Sequence, residues 1–269
     1  MNAKRLTTPK ENVQQLQLKL GHAAKVNRTR RFHALYDKIY HKDVLQEAWR
    51  RVRANRGAAG VDQKTIQTIE QMGVDEFLEQ CRQALQEGKY HTQPVRRHYI
   101  PKKDGNLRPL GIPTVKDRVV QMATKLIIEP IFEANFKDVS YGFRPQKSAK
   151  QALVQVRDTC NRQGYWVLDV DIQGYFDNIN QEKLMKLVQL RISDRRVLKL
   201  IRKWLQAGVM EEGNTKRSDL GVPQGGVISP LLANIYLNYL DTLWERHGKH
   251  LGKLIRYADD CAPRRRKAV

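Results

Sequence analysis

At 269 residues with 41 % apolar side chains, the chain can bury the core of one large domain or two modest ones. Lys and Arg number 49 against 28 Asp and Glu, and the resulting net charge of +21 calls for a polyanion, most often nucleic acid. No apolar run reaches the roughly 18 residues of a membrane span, residues 1–11 lack a secretory signal, and the scattered Cys81, Cys160 and Cys261 form neither a disulfide framework nor a C-x-x-C zinc pair. A reducing cytoplasm is the expected compartment.

In chain order, residues 1–35 predict a helix and then a basic loop carrying Arg28, Arg30 and Arg31. Residues 43–53 predict a helix with Val44, Ala48 and Val52 on one face. The stretch Arg56-Gly57-Ala58-Ala59-Gly60 is a break, after which Asp62 is expected to cap a new helix, and Phe77, Leu78, Cys81 and Leu85 follow at helical spacing. Residues 94–113 read as a hairpin turning at Lys103-Asp104-Gly105-Asn106. A helix is predicted over 116–136, with Val119, Ala123, Leu126, Ile127 and Pro130 inward and Pro130 marking a kink or its end. Residues 165–172 predict a buried strand, with Trp166, Leu168, Val170 and Ile172 on one face and Tyr165, Val167, Asp169 and Asp171 on the other. Helices are predicted near 181–190, 194–205 and 229–246, the last with Leu232, Ile235, Tyr236, Tyr239 and Leu243 as its apolar stripe. Residues 253–258 are strand-like and end at Asp259-Asp260. The mixture predicts an α+β fold, helices packed on a small antiparallel sheet.

The carboxylates carry the chemistry. Asp171 ends one predicted strand and the pair Asp259-Asp260 ends another. Carboxylates gathered together repel unless a cation neutralises them, and magnesium prefers oxygen ligands. Three carboxylates from two strand ends suit two Mg²⁺ ions about 4 Å apart, the arrangement that serves phosphoryl transfer. The plain alternative is a solvated Asp-Asp turn.

Tyr257-Ala258-Asp259-Asp260 resembles the Y-x-D-D signature of reverse transcriptases, and the segment from Asp171 to Phe176 and Asp177 resembles the family's other carboxylate motif. The blocks Arg108-Pro109-Leu110-Gly111-Ile112-Pro113, Tyr141-Gly142-Phe143-Arg144-Pro145 and Pro223-Gln224-Gly225-Gly226 stand in the family's order. With Ala59-Gly60-Val61-Asp62 and Ile100-Pro101-Lys102, the chain is similar to bacterial group II intron reverse transcriptases and maturases over roughly residues 49–260. The resemblance implies the fingers and partial palm of a right-hand polymerase: an N-terminal extension to 60, fingers over 61–160, palm over 161–260 and an atypical tail over 261–269. It implies RNA-directed DNA synthesis with two Mg²⁺ ions, an RNA template, a DNA primer, deoxynucleoside triphosphates and intron RNA as partners.

By the same resemblance Asp171 and Asp259 are the principal metal ligands, Asp260 the less direct third, and the Ile172 carbonyl completes the shell. Lys102 and Arg108 hold the triphosphate, which suits a point charge and a bidentate fork. Phe176 is the steric gate against ribonucleotides, Gln224 touches the new base pair, and Arg144 contacts template backbone. From their clustered charge alone, Arg28, Arg30 and Arg31 are expected to contact RNA. Family members continue with an apolar return strand and a thumb, whereas Pro263 and the run from Arg264 to Lys267 read as a solvated tail. A truncated member with weak or no activity is therefore expected, with a non-catalytic RNA-binding remnant as the alternative; an RNA-dependent RNA polymerase is disfavoured by Phe176.

Overall fold

The computed structural model describes residues 7–101, 105–163, 166–211, 214–216, 220–261 and 264–265. Helix α1 (Pro9–Val26) starts in a capping box between Thr8 and Glu11. It packs with α3 (Lys42–Ala54) on a central helix α6 (Val115–Glu133), and the short α2 (Tyr36–Ile39) joins them. Helices α4 (Ile66–Met72) and α5 (Val74–Gln86) follow α3. The cap of α4 is Thr65, accepting from the Thr68 N–H; Asp62 instead accepts from the Lys64 N–H and shapes the turn before it.

Helix α6 is buried on every side. Val119, Ala123, Leu126 and Ile127 are buried as read, and so are Val115, Val120, Ile128 and Ile131. Pro130 does not end it, because the helix runs on to Glu133. Proline cannot donate to the carbonyl four residues back, and the Gln17 side chain from α1 donates to that Leu126 carbonyl instead, at 2.9 Å. At the helix's start, buried Asp117 accepts from Tyr90 Oη, Thr114 Oγ1 and the Gln93 N–H.

Strands β1 (Val95–Pro101) and β2 (Leu107–Ile112) form the predicted hairpin; its turn residues 103 and 104 lie outside the described residues. After α7 (Ala149–Gln163) and β3 (Trp166–Val167) come α8 (Tyr175–Asn178), α9 (Gln181–Gln189) and α10 (Arg195–Leu205). The pair β4 (Val209–Glu211) and β5 (Asn214–Lys216) extends the hairpin into a sheet of order β2-β1-β4-β5. That sheet is mixed rather than antiparallel, because Val95 and Arg96 pair with Val209 and Met210 in parallel. Helix α11 (Ser229–Leu243) runs into one π-helical turn, Trp244–Gly248. Its inward face holds Leu231, Leu232, Ile235 and Leu237 with Asn234 and Asp241, while Tyr239 is exposed, against the predicted stripe.

The chain closes with β6 (Arg256–Tyr257), β7 (Asp260–Cys261) and β8 (Arg264–Arg265). One apolar core runs from Val13 in α1 to Leu237 in α11, with a small satellite of Tyr141, Ala152 and Ile255. No helix among the described residues is long and apolar enough to cross a membrane.

Two expectations are corrected here. The predicted strand over 165–172 is two fragments, β3 and a single bridge at Val170, and it is not buried: Val167 and Leu168 are 53 % and 61 % exposed. Within the tail, read as a solvated run in place of a return strand, Arg264 and Arg265 pair antiparallel with Val167 and Trp166, in the same register as Cys261 with Val170. Backbone groups make this ladder, so basic side chains do not prevent it.

Candidate active site

The turn that carries Asp259 is a two-residue hairpin. Arg256 pairs with Cys261 and Tyr257 with Asp260, leaving Ala258 and Asp259 at the tip, with Ala258 at φ +56°. Left-handed backbone at a residue with a side chain is unfavourable and persists only where the surroundings impose it. Arg256 supplies that constraint. Its guanidinium is 1 % exposed and forks onto Asp241, itself fully buried, with Nε–Oδ1 at 2.8 Å and Nη2–Oδ2 at 2.6 Å. The remaining Nη1 donates to the Ala258 carbonyl at 2.7 Å and to Asn234 Oδ1 at 3.2 Å. Asn234 in turn donates to the Gly142 carbonyl. Gly142 lies so close to Ala258 that a β-carbon there would collide with its backbone, which is why the Tyr141-Gly142 block is needed beneath the turn. The Arg256 N–H donates to the Val139 carbonyl and its carbonyl accepts from the Tyr141 N–H.

On the other side, Val170 and Cys261 exchange both backbone hydrogen bonds, N–H to O at 2.9 and 2.8 Å. This ladder sets Asp171 alongside Asp259 and Asp260. The Asp260 carboxyl is held above the usual carboxylate range by burial and then by the negative charge of Asp259, Asp171 and Asp169. Asp169, two residues before Asp171, thus adds a fourth negative charge to the cluster. Among the described residues no three of these carboxylates converge tightly enough to hold a metal ion. The donor set is nevertheless all oxygen and mutually repelling, which fits a hard divalent cation. The Ile172 carbonyl accepts from the Tyr175 N–H and keeps one lone pair.

Phe176 is half-buried on the core, edge-on to Tyr175 with ring centroids 5.5 Å apart, and its carbonyl accepts from the Val222 N–H. That bond and Gly221 N–H to the Ile179 carbonyl lay the Pro-Gln-Gly loop against α8. Gln224 Nε2 donates to Asp177 Oδ2 at 3.2 Å, and the Gln224 carbonyl accepts from the Gly111 N–H at 2.6 Å. A β-carbon on Gly225, at φ +106°, would sit 2.5 Å from the Gly111 carbonyl oxygen, so this loop rests backbone to backbone on β2. Between them lies a cavity of about 210 Å³ lined by Arg97, Asp177, Lys216, Pro223 and Gln224. Arg97 and Gly111, directly opposed across the hairpin, face this cavity. Arg108 is opposed to Ile100 and lies three residues from Gly111, so it projects from the other face. The structure therefore does not bring Arg108 and Gln224 to one wall. Lys102 lies outside the described residues.

Arg144 is a correction. It is 8 % exposed and fastened to Glu133 at 2.6 Å and to the Lys137 and Ser140 carbonyls at 2.5 and 2.7 Å, with Phe136 beneath it. Its donors are consumed in tying the end of α6 to the Tyr141 block, so it is no template contact. Arg28, Arg30 and Arg31 are exposed as expected.

Residues 100–262 match the model of the family described as reverse transcriptase (RNA-dependent DNA polymerase). The chain belongs to the reverse transcriptase family. It is 41 % identical over 242 residues to Protein YkfC of Escherichia coli K12, covering 87 % of this chain and 63 % of that one. It is 40 % identical over 213 residues to the group II intron-encoded protein LtrA of Lactococcus lactis, covering 78 % of this chain and 35 % of that one. A chain of a solved Cas6-RT-Cas1–Cas2 complex shares its fold, with TM-score 0.54 at 22 % identity, over 86 % of this chain and 38 % of that one. The chain thus spans about a third to two thirds of the length of these relatives.

Proposed function

We propose that this chain carries the catalytic palm of an RNA-directed DNA polymerase of the group II intron type, with intron RNA among its partners. The observation that carries the reading is the Val170–Cys261 ladder, which draws the Asp171 strand end to the Asp259–Asp260 hairpin while Arg256 grips that hairpin from below. Residues Asp171 and Asp259, with the Ile172 carbonyl and Asp260, would hold two Mg²⁺ ions. When bound, these would lower the barrier to attack by the primer 3′ hydroxyl and stabilise the departing pyrophosphate. The chain's own part is positioning, on which phosphoryl transfer mostly depends. Phe176 flanks the sugar and Gln224 is held by Asp177 and Gly111 beside the nascent pair, while a triphosphate contact by Arg108 would have to come from the opposite face of the hairpin. On this reading the fingers would span 61–160 and the palm 161–260, with α1 and α3 of the N-terminal extension packed on α6.

Primer extension on an RNA template tests this, in the chain as it stands and in one continued with a family-like return strand and thumb. Deoxynucleotide incorporation should require Mg²⁺, fall to background in Asp259→Ala, and exceed ribonucleotide incorporation until Phe176→Ala narrows the ratio. RNA binding without Asp259-dependent extension would favour a binding-only protein instead.

A further inference from the structure

Helix α10 is divided into two sharply different faces. Val197, Leu198, Leu200, Ile201, Trp204 and Leu205 are buried, and every outward position is cationic; the helix contains no Asp or Glu. Arg195, Lys199 and Arg202 stand exposed at successive i, i+4 and i+7 positions, one stripe along a helix about 16 Å long. Cations in the first turn oppose the helix dipole, so Arg195 is not placed there for helix stability.

The N-terminal basic loop is bolted to the start of this stripe. The Phe32 N–H donates to the Arg191 carbonyl at 2.7 Å, and the Phe32 carbonyl accepts from the Ser193 and Asp194 N–H groups. Buried Arg191 reaches back to the carbonyls of Arg28 at 2.5 Å and Ala24 at 3.1 Å. Asp194, the acid at this joint, is buried and occupied by the N–H groups of Leu35, Tyr36 and Arg196, with Arg196 as its ion-pair partner. Its charge is therefore spent inside. Among the described residues none of Arg28, Arg30, Arg31, Arg195, Lys199 and Arg202 has an ion-pair partner. At its far end α10 reaches Leu205, which lines the cavity beside Gln224.

We propose that these six side chains form one continuous phosphate-binding track that guides RNA from the N-terminal loop along α10. The occupant is an RNA backbone, because exposed cations at regular spacing, none of them spent on an ion pair among the described residues, suit repeated phosphates rather than a protein surface. This rests on the RNA-binding part of the reading above and not on polymerisation.

The test is fluorescence anisotropy of the full chain with a labelled RNA hairpin across a salt series. Arg195→Glu/Lys199→Glu/Arg202→Glu should weaken binding about tenfold or more near physiological salt and flatten the log–log salt slope by about two to three. A charge-matched reversal at exposed Arg246, Lys249 and Lys253 should change it about twofold at most. Combining the α10 reversal with Arg28→Glu/Arg30→Glu/Arg31→Glu should give less than the sum of the two losses, since one RNA segment spans both. Glutamine at the three α10 positions should give an intermediate loss with unchanged circular dichroism, separating charge from folding. An α10 variant that binds like the control would overturn the proposal, and strictly additive losses would overturn the single track. Tight RNA binding through the track with no primer extension would sink the polymerase reading alone.

Discussion

The centre of the molecule and its chemical edge are built on opposite plans. Around α6 the helices bury apolar side chains from every direction, and even the gap left by Pro130 is closed by a donor from α1. At the edge that carries Asp169, Asp171, Asp259 and Asp260 the strands are two residues long, and Leu168 stands in solvent. Apolar burial is concentrated around α6, and the charged cluster is left on short ladders above one buried clamp. The contrast teaches that a site of mutually repelling groups is held by a few polar anchors beneath it rather than by its own packing.

The clamp offers the sharpest way to break the contrast. Arg256→Ala strands Asp241 without its partner in the interior, and breaking a buried pair from one side costs about 3–5 kcal/mol. The expected result is a large drop in the urea midpoint together with loss of divalent-cation binding. Arg256→Lys, which keeps charge but not the fork, should recover stability in part and cation affinity less. If Arg256→Ala binds cations like the wild type, the hairpin is not set by the clamp.

Paired truncations compare the two regions directly. Leu126→Ala in α6 should cost about 2–5 kcal/mol. Leu168→Ala at the exposed strand should stay within about 0.5 kcal/mol. Chemical denaturation of both variants measures the gap, and similar losses would mean the edge is packed as tightly as the core.

The smallest effect is in pH. Glu47, buried in α3, is held down to about 2 by hydrogen bonds from Arg50 and then Arg51. A carboxylate lowered on folding contributes stability that is present above its unfolded value, near 4.5, and is lost as pH falls toward about 2. Glu47→Gln should therefore flatten the acid limb of the stability curve below about pH 4.5 and shift the neutral value modestly, since Arg50 and Arg51 reach solvent. An unchanged acid limb would contradict it.

Periodic elements were legible in the residues. Helices α3, α6, α9 and α10 lie within a few residues of their predicted spans because burial imposes the period, and the β1–β2 hairpin follows from its turn chemistry. The nearness of Asp171 to Asp259 and Asp260 was legible as two carboxylate-bearing segments, and the backbone ladder between Val170 and Cys261 brings them together. What escaped were pairings across sequence distance: Arg256 with Asp241, Asn234 with Gly142, and Arg191 with the carbonyl of Arg28. An arginine in a string looks like surface charge, and Arg144 and Arg256 differ from Arg195 only through folded neighbours. The strand at Arg264–Arg265 escaped for a related reason, since its ladder is made by backbone groups that side-chain composition does not reveal.

Hydrogen exchange, resolved by residue with and without Mg²⁺, tests the central claim most directly. In the absence of cation, the amides of Leu126 and Ile127 in α6 should exchange slowly and those of Val170 and Cys261 much faster. Added Mg²⁺ should slow Val170 and Cys261 while leaving α6 unchanged, and Asp259→Ala should abolish that slowing. Equal protection at Val170 and Leu126 before Mg²⁺ is added, or a Mg²⁺ effect that survives Asp259→Ala, would contradict the account.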